Sequence, residues 1–172
     1  MTSPMKAVAD TKSEELAPLR DLVGRIKVAM LTTADARGML RSRPLQTLEL
    51  DFDGRLWFFV SASSPKIEEM KREHGVVGVS YADPAKQDYA SISGTGEIVR
   101  DRERMKALWS PWVKVWFPQG VDDPDLALLC VAIEQAEYWD APGSAVRRLY
   151  GMVKARMTGD KSALGENRKI SV

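Results

Sequence analysis

Apolar side chains change their spacing several times along this chain, and each change marks an element. Leu16, Leu19, Leu22, Val23 and Ile26 recur at helical intervals and predict a helix over about 13–26. Thr11-Lys12-Ser13-Glu14 fits a capping box before it, with Pro18 placed early in the helix. Strand character follows: Lys27 to Thr33, a turn at Ala34–Gly38, a long strand from Met39 to Leu50, a hairpin turn at Asp51-Phe52-Asp53-Gly54, and Arg55 to Ser61. The connections are too short for crossover helices, so the pairing is antiparallel.

Ser64-Pro65 opens a second helix, with Ile67 and Met70 on its apolar side and His74-Gly75 at its end. Val76 to Tyr81 is the next strand, ended by Ala82-Asp83-Pro84. Tyr89 to Arg100 alternates most cleanly: Ala90, Ile92, Gly94, Gly96 and Ile98 share one face, and the small residues suit a tightly closing barrel or a bulge. Asp101 caps a helix reaching Trp109, Ser110–Asp125 is irregular and aromatic, and Leu126–Asp140 holds the last strand or strands. Ser144 caps a final helix carrying Val146, Leu149, Tyr150, Val153 and Met157 on one side. The sum is a mainly β (α+β) chain: a six-stranded antiparallel barrel with peripheral helices, over 13–158. A disordered segment at 1–12 and a frayed basic tail at 159–172 flank it.

Composition narrows the function classes. The 172 residues are 44% hydrophobic and 28% charged, with a net charge of +1, so nothing argues for nucleic-acid binding. From Gly143 onward seven Lys/Arg face two acids, a net +5, which leaves residues 1–142 at −4. A solvated basic face accounts for that tail better than a membrane or nucleic-acid patch. One cysteine, Cys130, lies in an apolar run and reads as a buried, inert thiol. The chain has neither a signal-like N-terminus nor a membrane-length apolar run, so a cytoplasmic location is expected.

The richest chemistry lies between Ser42 and Lys66. Ser64 and Lys66, with Arg43, can hold a phosphate at a helix N-terminus. On spacing alone, an ordinary Ser-Pro cap followed by a solvated lysine fits better. Arg43-Pro44 sits mid-strand, where proline marks an edge or a bulge. Its free backbone groups either serve a ligand ring or protect the edge. Trp57-Phe58-Phe59 reads as core covered on both faces. Trp109, Trp112, Trp116 and Phe117 fall in an irregular segment and suggest a subunit interface. His74, the only histidine, has no partner at metal-ligand spacing, and no metal site is expected. Gly94-Thr95-Gly96 lacks the third glycine of a dinucleotide fingerprint.

Taken in order, several of these segments resemble one family. They are Met30-Leu31-Thr32-Thr33, Arg41 to Leu45, Gly54 to Phe59, Ser64-Pro65-Lys66, Tyr89 to Gly94, Trp116 to Gly120, Asp122 to Asp125 and Glu137-Tyr138-Trp139-Asp140. The stretch from about 15 to 140 is similar to general stress protein 26, in the pyridoxamine 5′-phosphate oxidase-like, FMN-binding split-barrel group. The resemblance implies a split barrel and a homodimer with flavin at the subunit interface. It implies that Arg43, Pro44, Leu45 and Gln46 line the isoalloxazine, and that Phe59, Val60 and Ser61 lie under ring and ribityl chain. Ser64 and Lys66 would hold the phosphate, and Tyr89 would lie near the ribityl or ring edge. Trp116 and Trp139 would reach the other subunit's flavin. Leu45 stands where the family commonly has methionine, and Val60 where threonine is common.

The implied function is an FMN-binding stress protein, FAD being the alternative cofactor, with low-specificity flavin-dependent oxidoreductase activity. A non-enzymatic flavin reservoir or sensor is the second reading. A true pyridoxamine 5′-phosphate oxidase would need a second cationic cluster, for which only Arg147 and Arg148 offer themselves. A deazaflavin-dependent reductase or haem-binding relative could use the same fold. No catalytic acid or base is named, because the flavin would carry the redox chemistry.

Overall fold

The computed structural model describes residues 4–140 and 166–171. Its elements are α1 (Pro4–Ile26), β1 (Val28–Ala34), β2 (Leu40–Leu50), β3 (Arg55–Ser61), α2 (Pro65–Arg72), β4 (Val76–Asp83), β5 (Asp88–Val99), α3 (Arg102–Leu108), β6 (Leu126–Asp140) and β7 (Glu166–Ser171). Two short 3-10 turns, Pro111–Val115 and Gly120–Asp122, fill the irregular segment before β6.

Six strands close an antiparallel barrel. The order β3-β2-β1-β4-β5-β6 is completed by pairing β3 with β6, from Arg55↔Ala132 to Ser61↔Leu126. The core inside holds Leu31, Leu56, Phe58, Val60, Val79 and Ile92, among others, and α1 adds Leu16, Leu19, Leu22 and Val23. A second cluster lies outside the wall, where Trp57, Leu128 and Cys130 pack with Met105, Val113 and Phe117. So β3 is covered on both faces, as its run of aromatics requires. Burial pushes the Cys130 thiol up to about 11, in keeping with an inert role.

Close approach explains the small residues of β5. The ladder to β6 slips between Ser93 and Gly94. A Cβ at Gly94 would run into the Ala132 carbonyl, and one at Gly96 would lie 2.6 Å from Met70 Sδ. Gly75, at φ +84, turns the chain out of α2 while its N–H donates to the Met70 carbonyl at 2.8 Å.

The ends of the chain depart from expectation. Helix α1 begins at Pro4 rather than near residue 13, so residues 4–12 are helical instead of disordered. Nothing from Met5 to Ser13 breaks a helix, and Pro4 falls in the first turn, where its missing N–H is harmless. The proposed capping box is therefore helix interior, and Pro18 lies well inside the helix. Of the tail expected to fray, residues 166–171 form β7, paired with β6 from Gln135↔Ser171 to Asp140↔Glu166. No apolar alternation announces that strand; the free distal edge of β6 supplies its partner. The expected helix after Ser144 lies outside the described residues. Among the described residues, no helix is long and apolar enough to cross a membrane.

Candidate functional site

Strands β2 and β3 pair only from Thr47↔Phe58 to Leu50↔Leu56, with a bulge between Thr47 and Glu49. Beyond Thr47 they part. Leu40–Gln46 then ladders with β1 alone, while Phe59, Val60 and Ser61 follow β6. Pro44 thus sits on an open edge, where its missing donor breaks no ladder. The gap between the two strands is a cleft of about 660 Å³.

Several elements wall this cleft. Pro44, Leu45 and Gln46 come from β2, Phe59, Val60 and Ser61 from β3, and Lys66 from α2. Trp112, Val113, Trp116 and Phe117 form the aromatic wall, with Val28 and Leu48 beside them and Asp123 and Asp125 at the polar end. Phe117 and Val113 are buried, whereas Trp112 is 46% and Trp116 73% exposed at the rim. Behind Phe59, Trp109 makes an edge contact with centroids 5.7 Å apart.

Eight of the residues expected at a flavin site therefore meet in one cleft: Pro44, Leu45, Gln46, Phe59, Val60, Ser61, Lys66 and Trp116. Four lie elsewhere. Arg43 is drawn away, because its guanidinium donates to Thr33 Oγ1 at 2.9 Å and to both Glu69 carboxylate oxygens at 2.9 and 2.8 Å. Thr33 in turn donates to Glu69 Oε2 at 2.7 Å. This triad ties α2 to β1 and β2, and the Thr33 hydroxyl is the first cause holding the Glu69 carboxyl below its ordinary range. Tyr89 and Trp139 are cross-strand neighbours on β5 and β6, 37% and 36% exposed, and do not line the cleft.

Ser64 has the extended backbone of an N-cap, but its hydroxyl makes no cap bond. Its Oγ is buried without a hydrogen-bond partner among the described residues. Lys66 is held below the ordinary lysine range, first by burial and then by the Arg43 charge, with Asp125 pulling the other way. A buried hydroxyl without a partner and a partly desolvated ammonium both gain from an incoming anion.

Sequence reasoning left out Asp125, Ser63, Glu69 and Thr33. Asp125 accepts from the Ser61 hydroxyl, from Ser63 N–H at 2.9 Å and from the Ser63 hydroxyl at 3.1 Å. Those bonds, the Ser61 hydroxyl first, hold its carboxyl below the usual range. Thr33 did carry a signal, as a polar residue on the apolar face of β1.

A family profile described as pyridoxamine 5′-phosphate oxidase like matches residues 14–163. Protein bli-3 of Neurospora crassa is 27% identical over 155 residues, covering 84% of this chain and 74% of that one. The general stress FMN/FAD binding protein of Xanthomonas citri superposes with a TM-score of 0.63 at 27% identity, covering 76% of this chain and 92% of its own. A Clostridium acetobutylicum protein related to general stress protein 26 gives a TM-score of 0.67 at 21% identity, covering 93% and 96%, which supports the fold.

Proposed function

The chain belongs to the pyridoxamine 5′-phosphate oxidase-like family, and from that premise we propose that it binds a flavin, FMN in the first place, in the cleft between β2 and β3. One observation carries the reading: an apolar slot reaches a partly desolvated Lys66, and just before it on the same helix start stands a buried Ser64 hydroxyl without a hydrogen-bond partner among the described residues. A planar ring with a phosphate tail matches that sequence of surfaces. The open edge at Pro44–Gln46 would offer backbone groups to the ring, with Phe59 and Val60 beneath it. Ser61 would face the ribityl chain, and Ser64 and Lys66 would hold the phosphate. Arg43 orients α2 through Glu69 in this reading, and its side chain is not given to the ligand. A bound flavin would supply the redox chemistry, and the protein's part is to bind, orient and shield it.

The exposed Trp112 and Trp116 at the rim support a homodimer with flavin at the interface. Tyr89 and Trp139, outside the chain's own cleft, would then reach the partner's flavin. The activity that fits is a low-specificity flavin-dependent oxidoreductase. A non-enzymatic flavin reservoir or sensor is the second reading. The deciding experiment is the visible spectrum of the isolated protein, with release and identification of the chromophore and an FMN titration. About one flavin per chain is expected, from the cleft between β2 and β3; a colourless protein that gives no FMN response would sink the reading. Steady NADH or NADPH oxidation with an electron acceptor would separate the enzyme from the reservoir.

A further inference from the structure

The turn between β3 and α2 is folded around a carboxylate. Ser61 and Ser63 point their hydroxyls, and Ser63 its N–H, at Asp125 from just before β6. The backbone is tied down as well: Ala62 N–H donates to the Asp125 carbonyl at 2.8 Å, and Asp125 N–H donates to Asp123 Oδ1 at 3.0 Å. Arg100 and Lys66 are the cations that act on this carboxylate. Ser61, Lys66 and Asp125 all line the cleft, and the adjacent Ser64 hydroxyl has no partner among the described residues.

Carboxylate and phosphate oxygens draw on the same donors, namely hydroxyls, backbone N–H groups and ammonium. An anion entering beside Lys66 therefore meets a turn whose donors already serve a side chain of the protein. We propose that Asp125 is a built-in competitor of the ligand's phosphate: it holds the hydroxyl and N–H of Ser63 and yields them, at least in part, when a phosphate-bearing flavin binds, while Ser61 stays beside the ribityl chain. The inference rests on the flavin reading of the cleft. It makes Asp125 a determinant of phosphate affinity that also keeps the turn ordered when no ligand is present. A plain loop clamp would serve FMN and phosphate-free riboflavin equally, and the two roles separate on that difference.

The test is a fluorescence titration of wild type and Asp125→Asn with FMN and with riboflavin. Removing the competing charge is expected to tighten FMN about tenfold and to leave riboflavin unchanged. A parallel loss for both flavins, or no change for FMN, would overturn the proposal. Wild-type protein gives a second measurement that does not depend on the variant folding. The Asp125 side-chain carboxyl 13C resonance should shift with FMN and stay in place with riboflavin. An equal shift with both, or none with either, would also overturn it. Wild type that binds neither flavin would remove the reading of the cleft itself, a result distinct from FMN binding that Asp125 does not affect.

Discussion

The two halves of the β2–β3 junction are built from the same pair of strands and do opposite things. In the closed half, Thr47 to Leu50 ladders with Leu56 to Phe58, and the polar groups there are satisfied: Thr47 Oγ1 meets Tyr81 OH at 2.7 Å, and Trp57 Nε1 donates to Asp51 at 3.0 Å. Phe58 is fully buried there. In the open half, bonding capacity is left over: an unpartnered Ser64 hydroxyl, a desolvated Lys66 and tryptophans in water. Stability is concentrated where pairing is complete, and binding capacity where pairing stops. A barrel that closed fully at this seam would have no room for a ligand.

Mutations on either side of the seam should separate the two properties. Phe58→Ala, in the closed half, should cause the largest loss, about 3–5 kcal/mol of stability from the transfer term plus a cavity. Chemical denaturation measures it, and a loss under 1 kcal/mol would blur the contrast. Lys66→Ala, in the open half, should weaken FMN by about 1.5–3 kcal/mol, hardly touch riboflavin and leave the denaturation midpoint in place. Equal losses for the two flavins would take Lys66 away from the phosphate.

Glu69 joins the two regions, since it fastens α2 to the barrel through Arg43 and Thr33. Glu69→Gln keeps the shape and loses the charge, so about 1–2 kcal/mol of stability should go, with solvent screening keeping it below a fully buried pair. The pH dependence has a definite sign. Folding lowers the Glu69 pKa below 4.5, so the unfolded chain binds that proton more tightly. The contribution is complete above the unfolded value and drains away as the pH falls through the folded one. Unfolding midpoints taken from pH 7 down to pH 3 should fall in acid, and fall less steeply in Glu69→Gln. Identical profiles would mean the triad adds nothing. Trp116→Ala should have the smallest effect on folding, within about 0.5 kcal/mol. In the proposed dimer its effect belongs in the self-association constant measured by sedimentation, and an unchanged constant would remove this tryptophan from the proposed interface.

Periodicity carried the barrel strands well. Val76–Asp83 and Asp88–Val99 lie where alternation places them, and Gly94 and Gly96 sit where the wall closes most tightly. Patterns failed where a segment depends on a distant partner. β7 has no apolar period and exists through the free edge of β6. Asp125 and Ser63 lie 62 residues apart, a spacing no local rule reads. Arg43 shows the same limit: its position beside Pro44 suggested a ligand contact, but one arm of its fork goes to Glu69, 26 residues away, and the other to Thr33.

The chain by itself determined which residues alternate, which turn and which cap, because those choices depend on neighbours a few positions away. It thereby determined a small antiparallel barrel and placed a proline on an edge near a Ser-Pro-Lys helix start. Only the tertiary structure decided that β2 and β3 part at Thr47, that Arg43 is consumed by Glu69 and that Asp125 takes the donors of the turn. These are contests between groups far apart in sequence for the same few donors and acceptors, and they are settled only when the barrel brings the rivals together.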